Sequence, residues 1–418
     1  MHVLYIVQHF ASRAAPGGGI RPFETARRLV ASGHRVTLLC SANSAGHMQR
    51  SDADARAAGI EVIRSPLVYR DGLSYVGRMA VFARYMRWAI PTAKAVSPPD
   101  VVFASSTPLT VGEVGRVAAG HHRVPFVFEV RDLWPEIPIV VGALPTPLLR
   151  WGARFMARRI YAAAQEIIPL SPGMARVIRD DWGVDAARIT VVPNCSDTKL
   201  FGTPEVEAQR EAFRARMGWQ GKLVAIHPGS MGRANGLDYL LDAAKALDAA
   251  GERDVEIALV GGGPMRAALE ARAKSEGIRA ASFHAEMPHR DIPVWLAAAD
   301  VGLVSFAPLP YLETNSANKF FDTLAAGRPV VLNYGGWMAE VIRETGTGLA
   351  ADPRSPSSLA EALRMLKRDP LRRQAMGREA RALAEARFDR DALVREVERV
   401  LVRAVEQAGR ASLRRAAV

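Results

Sequence analysis

Short apolar segments typical of β-strands alternate with helical patterns along the whole chain, and this alternation restricts the fold more than any other feature. Before residue 200 the strand-like segments are VLYIV (3–7), RVTLLC (35–40), DVVFAS (100–105), PFVFEV (125–130), EIIPLS (166–171) and ITVVPN (189–194). Segments with helical spacing separate them, the first near residues 21–32. Strands joined by helices form parallel sheets covered by helices, so the sequence predicts an α/β fold.

The same rhythm restarts after a polar stretch at residues 202–217. The later strand-like segments are LVAIHPG (223–229), VEIALVGGG (255–263), ASFHAE (281–286), DVGLVSF (300–306) and PVVLNY (329–334). A chain of 418 residues is too long for one ordinary core. We therefore predict two domains in tandem, 1–201 and 218–385. The terminal segment, 386–418, holds a basic tail and most of a long amphipathic helix that is predicted over 384–408.

Charge and cysteine content limit the function. The net charge is +12, and residues 1–200 hold 24 Lys and Arg against 15 Asp and Glu. This excess indicates an anionic partner, such as a membrane surface, nucleic acid or a phosphorylated substrate; a generally basic surface is the alternative. Cys40 and Cys195 form no CxxC pair, which favours a reducing cytoplasm and argues against a zinc site. The first residues, MHVLYIVQHF, are interpreted as a strand and not a signal peptide, and no apolar run has the length of a membrane span.

Two glycine-rich turns follow strands in the second half. In HPGSMGRANGLDYLLDAAKAL (227–247) a strand, three glycines and a helix follow one another, which exposes backbone N–H groups at a helix start and suits a phosphate. Arg233 adds a charged contact. The second turn, LVGGGPMRAALEARA (259–273), resembles a dinucleotide fingerprint, but Arg266 occupies the third glycine position. A purely structural tight turn is the alternative at both places.

The segment ETNSANKFFDTLAAGRPVV (313–331) predicts a helix that ends at Gly327 and leads into a buried strand. A helix start near 316–318 with Lys319 suits a phosphate. Asp322, one turn further on, suits two ribose hydroxyls. Phosphate and ribose together indicate a nucleotide, whereas the alternative is that both side chains are merely solvated.

Two further segments of the first half lie where α/β domains bind ligands. AAPGGGIRPFETARRLVASGHRV (14–36) places three glycines between a strand and a helix. FEVRDLWPEIP (128–138) places Arg131 and Asp132 just beyond the end of a strand. For these two residues the alternative is a buried structural Arg–Asp pair.

Taken in order, these motifs resemble the family-4 glycosyltransferases, and within them the bacterial branch that builds cell-surface polysaccharides such as lipopolysaccharide with N-acetylated sugars. The resemblance covers about residues 1–385, and its most specific parts are SMGRANGL and NKFFDTLAAGRPVV. It implies a GT-B fold, in which two doubly wound Rossmann-like domains face across a cleft. The first domain would bind the acceptor, the second would bind the nucleotide-sugar, and the terminal helix would return to the first domain.

The resemblance also implies roles for particular residues. Gly18, Gly19 and Gly232 would lie near the diphosphate, and Arg233 would contact the phosphates. Lys319 would supply a cation. Such enzymes retain anomeric configuration without a metal and need no cofactor besides the UDP-sugar substrate, because basic groups and helix ends stabilise the leaving diphosphate.

The remaining implied contacts involve the ribose, the base and the sugar. Asp322 would accept from the ribose, and Asn318 would lie at the helix start. Main-chain groups around Glu286 and Met287 would meet the base. Arg131, with Asp132 beside it, stands where many relatives have a sugar-contacting histidine.

Two positions depart from the family pattern. The earlier of two glutamates found in many relatives is Thr314 here, with Glu313 adjacent, and a lysine that often precedes Gly236 is Asn235. Lys319 is expected to substitute for that lysine.

These observations predict a glycosyltransferase that moves an N-acetylhexosamine-type sugar from a UDP donor to a surface-glycan acceptor linked to polyprenyl diphosphate. Nucleic acid is not an expected partner. A UDP-sugar 2-epimerase of the same fold and a non-catalytic nucleotide-sugar-binding protein are the alternatives. The first is disfavoured by Arg131 in place of a histidine, and the second by intact Arg233, Lys319 and Asp322.

Two basic, aromatic stretches predict peripheral binding to the inner face of the plasma membrane. LSYVGRMAVFARYMRWAI (73–90) places aromatic residues on one helical face and Arg84 and Arg87 on the other. LLRWGARFMARRIY (148–161) contains no acidic residue. Both suit a helix lying on an anionic leaflet, and the alternative is that the aromatic residues belong to the core.

Overall fold

The structure is a computed structural model that describes residues 1–15, 19–42, 45–68 and 75–416. It divides into two units, Met1–Pro193 together with Asp391–Val418, and Asn194–Arg390. In the described part of the chain each unit holds one sheet of six parallel strands. The predicted α/β class with two doubly wound sheets is therefore confirmed.

The first unit has the strand order β3-β2-β1-β4-β5-β6. Its strands are β1 (His2–Ile6), β2 (Arg35–Ala42), β3 (Glu61–Val68), β4 (Val101–Ser105), β5 (Phe126–Val130) and β6 (Glu166–Pro169). Its helices before the chain leaves the unit are α1 (Ile20–Ala31), α2 (Ala45–Ala57), α3 (Tyr75–Ala95), α4 (Thr110–His122), α5 (Glu136–Val140), α6 (Pro147–Ala163) and α7 (Pro172–Asp180). A 3-10 turn follows at Ala186–Arg188.

The apolar runs of this unit form strands because they are buried within the sheet. Val3 of β1 pairs with Val36 on one side and with Val101 on the other. The predicted strand at 189–194 is wrong. Only Ile189 forms a β-bridge, to Ile167, and Pro193 lacks the N–H group that a continuing ladder needs.

The second unit has the strand order β12-β11-β10-β7-β8-β9. Its strands are β7 (Leu223–Pro228), β8 (Val255–Val260), β9 (Ala281–His284), β10 (Val301–Val304), β11 (Val330–Leu332) and β12 (Gly348–Ala350). Its helices are α8 (Pro204–Glu207), α9 (Arg210–Met217), α10 (Asp238–Ala249), α11 (Arg266–Ser275), α12 (Ile292–Ala298), α13 (Asn318–Ala325), α14 (Trp337–Thr345), α15 (Pro356–Arg368) and α16 (Pro370–Arg387). Three 3-10 turns of the described chain lie at Arg233–Asn235, His289–Asp291 and Leu312–Thr314.

The helix predicted over 384–408 is two helices, α16 and α17 (Arg390–Ala416). The break lies at Phe388 and Asp389, where the backbone N–H of Ser196 donates to the Phe388 carbonyl over 3.2 Å. The hydroxyl of Thr198 donates to Asp389 over 2.6 Å. These bonds tie residues 194–201 and 386–390 into the second unit, so the unit boundaries lie at 193/194 and 390/391, not at 201 and 386.

Beyond the break, α17 belongs to the first unit. Its apolar side chains Val397, Val400, Leu401 and Ala404 lie in the same core cluster as Val3 and Tyr5 of β1. In the described part of the chain, no helix is both long enough and apolar enough to span a bilayer.

Candidate functional site

Two glycine-rich loops, after β7 and β8, lie directly against each other at the carboxyl ends of their strands. The backbone N–H of Gly229 donates to the Val260 carbonyl over 2.8 Å, and that of Met231 donates to the Gly262 carbonyl over 2.7 Å. Gly261 has φ +146°, and a Cβ on it would lie 2.1 Å from the Gly229 oxygen. Only glycine fits there, so the two loops form one close-packed backbone surface.

Lys319, near the start of α13, reaches this surface from a distant part of the sequence. Its Nζ lies 2.8 Å from Nε2 of His227 and donates over 3.2 Å to Oδ1 of Asn235. A Cβ on Gly229 would lie 3.2 Å from Lys319 Cε. The fold thus brings together Lys319, Asn235 and the Gly229 loop.

The electrostatics of this cluster follow from its burial. His227 is wholly buried. Its burial, and then the nearby charge of Lys319, hold the pKa of His227 well below its usual value, so the ring is neutral. Burial also lowers the pKa of Lys319 to about 7. A bound anion would favour the charged form of Lys319 and offset the cost of burying it.

Arg233 and Gly232 belong to the same loop, after β7. Gly232 precedes the 3-10 turn Arg233–Asn235, and a Cβ on it would lie 3.8 Å from Nδ2 of Asn235. The side chain of Arg233 is exposed, and it has no hydrogen bond or ion pair with any described residue. It is therefore available to a ligand at the loop.

The start of α13 is also open. The helix begins at Asn318, which is half-buried, and no side chain of Ala317 caps it. The preceding loop is held by its own bonds, because Thr314 Oγ1 donates to the Tyr311 carbonyl over 2.7 Å. Trp337 Nε1 donates to the Asn315 carbonyl over 2.7 Å. The N–H of Phe320 donates to the Ala317 carbonyl over 3.0 Å, so the N–H groups of Asn318 and Lys319 are those that this fixed loop presents.

Asp322 lies one turn further along α13 and is only 5% exposed. Its Oδ1 accepts a hydrogen bond of 2.7 Å from Ser196, and its Oδ2 lies 3.5 Å from Nε2 of His289. This carboxylate therefore has partners inside the protein. The ribose role of Asp322 stays a prediction.

Glu286 and Met287 lie between β9 and the 3-10 turn at His289–Asp291. A Cβ on Gly262 would lie 3.3 Å from Oε2 of Glu286, so this exposed carboxylate approaches the second glycine loop. The structure thus brings the 286–287 segment close to that loop.

Arg131 and Asp132 follow β5 in the first unit, and each is bound to the loop after β4. The Arg131 backbone N–H donates to Ser106 Oγ over 3.0 Å, and Thr107 Oγ1 donates to Asp132 Oδ2 over 3.0 Å. Among the described residues no ion pair joins Arg131 to Asp132, so the alternative of a structural Arg–Asp pair is wrong.

Gly19, the residue before α1, has φ +110° and packs against the His9 backbone. Gly18 lies outside the described residues. Next to this helix start Arg21 donates to Glu129 over 2.7 Å, and both side chains are buried. Arg21 and Glu129 thus form a buried ion pair in this region.

His227 is not among the residues predicted from the sequence. The only signal was a lone polar side chain at the end of an otherwise apolar strand, directly before Pro228 and Gly229. Within the described ranges, no group of three or more His, Cys, Asp or Glu side chains is arranged to hold a metal ion. Cys40 and Cys195 are both buried.

Comparison with known families matches both halves of the chain. Residues 17–195 match the model of the glycosyl transferase 4-like domain, and residues 222–369 match that of glycosyl transferases group 1. Together the two models cover more than half of the sequence.

Individual relatives are identical to the chain at about a quarter of the aligned positions. The chain is 27% identical over 378 residues to a GDP-mannose-dependent alpha-(1-6)-phosphatidylinositol dimannoside mannosyltransferase of Mycobacterium tuberculosis, which covers 89% of each protein. It is 24% identical over 243 residues to an alpha-D-kanosaminyltransferase of Streptomyces kanamyceticus, and this match covers 58% of the chain and 60% of that protein.

The crystal structure of HepE from Anabaena in complex with UDP-glucose is similar to the present one, with a TM-score of 0.72 and 18% sequence identity. The match covers 96% of this chain and 99% of HepE. This likeness shows the GT-B fold predicted from the sequence motifs.

Proposed function

Because the chain belongs to the glycosyltransferases of GT-B fold, we propose that it transfers an N-acetylhexosamine-type sugar from a UDP donor to a surface-glycan acceptor, with retention of anomeric configuration and without a divalent metal. The observation that carries this proposal is the cluster at the glycine loops of the second unit. There Lys319 approaches His227 and Asn235, beside an exposed Arg233.

This cluster suits a diphosphate. Two cationic side chains lie at the glycine loops, and the start of α13 adds the positive end of a helix dipole. In a transfer reaction the leaving group is a nucleoside diphosphate, whose charge grows as the bond to the sugar breaks. Arg233 and Lys319 supply the compensating charge that a metal ion supplies in other transferases.

The choice of UDP rests on the motif resemblance and on the bound UDP-glucose of HepE. The mycobacterial relative is described as GDP-mannose-dependent, so donors differ among similar proteins. The N-acetylhexosamine is supported only by the motif resemblance. The roles that the motif resemblance implies for Arg131, Asp132, Gly18 and Gly19 stay predictions, and the 286–287 segment of the second unit is proposed to contact the base.

We further propose that the acceptor is linked to polyprenyl diphosphate and that the protein binds the cytoplasmic face of the membrane. The two stretches predicted to bind the membrane differ in the structure. In α3 Phe82 and Tyr85 are buried, and Tyr85 donates a hydrogen bond of 2.6 Å to the Val7 carbonyl. The aromatic face of α3 is therefore core, and its assignment to the membrane is wrong.

Helix α6 has the opposite character. Leu148 is 75% exposed, Trp151 65% and Phe155 51%, and the two rings stack with centroids 5.7 Å apart. Arg154 and Arg158 are exposed on the same helix. Exposed aromatic and basic residues on one helix suit an anionic lipid surface, and this supports membrane binding through α6.

The test is a transfer assay in the presence of EDTA. The purified protein is incubated with UDP-N-acetylglucosamine, UDP-glucose or GDP-mannose, with and without a polyprenyl-diphosphate-linked sugar. We expect UDP release only when the acceptor is present, and an NMR spectrum of the product that shows the anomeric configuration of the donor. Conversion of the donor sugar without acceptor would establish the epimerase alternative.

Two other outcomes would contradict parts of the proposal. Binding of nucleotide-sugars without turnover under all conditions would indicate a binding protein. Activity that disappears with EDTA and returns with Mn²⁺ would remove the claim that cationic side chains replace a metal.

A further inference from the structure

Among the described residues Lys319 forms no ion pair, and its Nζ lies 2.8 Å from Nε2 of the wholly buried His227. We propose that His227 is a positioning residue, whose imidazole holds the Nζ atom of Lys319 against the glycine loops, where it meets the diphosphate of the donor. This inference rests on the proposed function, because it requires a diphosphate ligand at these loops.

The geometry separates the roles of the two side chains. His227 is the penultimate residue of β7 and is wholly buried, so it cannot contact a ligand itself. Lys319 is only partly buried and lies at the loop surface. Its ammonium group has three hydrogens, of which one points to His227 Nε2 at 2.8 Å and one to Asn235 Oδ1 at 3.2 Å. No further hydrogen bond joins Nζ to a described residue, which leaves the third hydrogen for an anionic oxygen.

A neutral imidazole can keep this bond in both protonation states of Lys319. One ring nitrogen carries a hydrogen and the other accepts one. When Lys319 is charged, Nε2 of His227 accepts from it; when Lys319 is neutral, the other tautomer donates to the amine. Because burial lowers the pKa of Lys319 to about 7, both forms are populated near neutral pH. Binding of a diphosphate favours the charged form and therefore draws in a proton.

The described groups around Lys319 come from several elements. His227 comes from β7, Asn235 from the 3-10 turn, and the ring of Phe306, which follows β10, has its centroid 5.8 Å from Nζ. On α13 itself Asp322 bonds to Ser196. Arg233 lies on the turn of Asn235 but is exposed. Burial, and not a charged neighbour, causes the lowered pKa of Lys319.

The experiment compares two amides in place of His227. The amide of glutamine reaches the position of Nε2, whereas that of asparagine reaches only the position of Nδ1. Calorimetry measures binding of UDP and of GDP to wild type, His227→Gln and His227→Asn, each with Lys319 and with Lys319→Met. Repeating each titration at pH 7.5 in two buffers of different ionisation enthalpy gives the protons taken up per nucleotide bound.

We expect His227→Gln to bind the preferred nucleotide nearly as wild type does, and His227→Asn to bind it about tenfold more weakly, which corresponds to loss of one charge-assisted hydrogen bond. In the Lys319→Met background the His227→Gln and His227→Asn variants should bind the nucleotide with equal affinity, because residue 227 then has no lysine to position. Proton uptake should occur in wild type and be reduced in Lys319→Met.

Equal nucleotide affinity of the glutamine and asparagine variants with Lys319 in place would overturn the inference. The same affinity difference between these variants with Lys319 and with Lys319→Met would also overturn it, since a purely structural role of His227 gives that result. Thermal melts of both variants report any common loss of folding. If wild type binds neither UDP nor GDP, the proposed function fails instead, so the two failures are distinguishable.

Discussion

Ser196 donates a hydrogen bond of 2.7 Å from its hydroxyl to Oδ1 of Asp322, and both side chains are buried. Ser196 also pairs through its backbone with Asp389, next to the point where α16 gives way to α17. Asp322 belongs to α13, the helix that carries Lys319. The bond therefore fixes the helix of the candidate diphosphate site to the segment at which the chain enters the second unit.

Replacement of Asp322 separates this internal role from the predicted ribose contact. We expect Asp322→Ala to lower the free energy of unfolding by about 1–3 kcal/mol, because it leaves the buried Ser196 hydroxyl without an acceptor. Urea denaturation measures this. Ser196→Ala is the matched control, and its UDP affinity should equal that of wild type. If Asp322 binds ribose, Asp322→Asn weakens UDP binding while affinity for the acceptor is unchanged; calorimetry with equal UDP affinity would remove that role.

The lowered pKa of Lys319 should make the free energy of unfolding depend on pH. Burial lowers the pKa of Lys319 to about 7, whereas an unfolded lysine has a pKa of about 10.4. Between these values the unfolded chain binds more protons, so the contribution of this group raises the free energy of unfolding as pH increases from about 7 to about 10. Below about pH 7 the full cost of burying the charge is present.

The measurement compares wild type with Lys319→Met by urea denaturation at pH 7, 8, 9 and 10. We expect the stability of wild type relative to the variant to increase across this range by an amount on the order of 1–4 kcal/mol. The lowered pKa of His227 acts in a separate window, below about pH 6.5. Parallel pH profiles for the two proteins would show that Lys319 titrates normally.

The contact between the two glycine loops predicts that Gly261 tolerates no side chain. In Gly261→Ala the Cβ would meet the Gly229 oxygen at 2.1 Å, so the loops have to separate. We expect a loss of at least about 2 kcal/mol in unfolding free energy, together with weaker UDP binding. Gly277→Ala is the control, because it also has positive φ but no atom within 4 Å of the added Cβ. It should cost about 1 kcal/mol and leave UDP binding unchanged. Equal losses of unfolding free energy and of UDP affinity in the two variants would contradict a role of this loop contact.

Arg233 is expected to contribute to catalysis because it is exposed and bound to no described residue. Arg233→Ala should lower kcat/KM roughly 30- to 150-fold, which corresponds to a loss of about 2–3 kcal/mol of transition-state stabilisation. Arg253→Ala is the control, since this exposed arginine precedes β8, at the end of the strand opposite to the glycine loop. A kcat/KM close to that of wild type for Arg233→Ala would show that the diphosphate lies elsewhere.

The strands that the sequence predicts well are those whose side chains are almost all apolar, such as β1 and β7. The missed strands lie at sheet edges: β3 contains Pro66 and several polar residues, and β12 has only three residues. Edge strands pair on one side only, so their sequences are less apolar and carry less signal.

The positions of Arg233 and Lys319 at the glycine loop could be predicted because a local motif carries each residue, whereas their contacts with a ligand stay predictions. The position of His227 could not be predicted, because its role arises only when the fold brings it to a lysine 92 residues away. For the same reason the sequence did not reveal that Asp132 bonds to Thr107, or that Asp322 bonds to Ser196.

Membrane binding should depend on α6 and not on α3. Trp151 and Phe155 are exposed on α6 beside Arg154 and Arg158, so their aromatic rings would enter the lipid interface while the arginines meet anionic head groups. Each basic residue contributes about 1 kcal/mol near such a surface, so binding should be strong at low salt and weak at high salt. Sedimentation with vesicles containing an anionic lipid measures it.

Two pairs of changes test the assignment. Trp151→Ser with Phe155→Ser, and separately Arg154→Glu with Arg158→Glu, should each abolish most of the sedimentation. Charge reversal of the two exposed arginines of α3, Arg84→Glu with Arg87→Glu, is the matched control. It changes the net charge equally, and because the aromatic face of α3 is buried we expect a smaller effect. Equal recovery on neutral and anionic vesicles, or equal loss of sedimentation in the α3 and α6 charge variants, would show that α6 does not bind the protein to the membrane. An acceptor in solution would then be the better proposal.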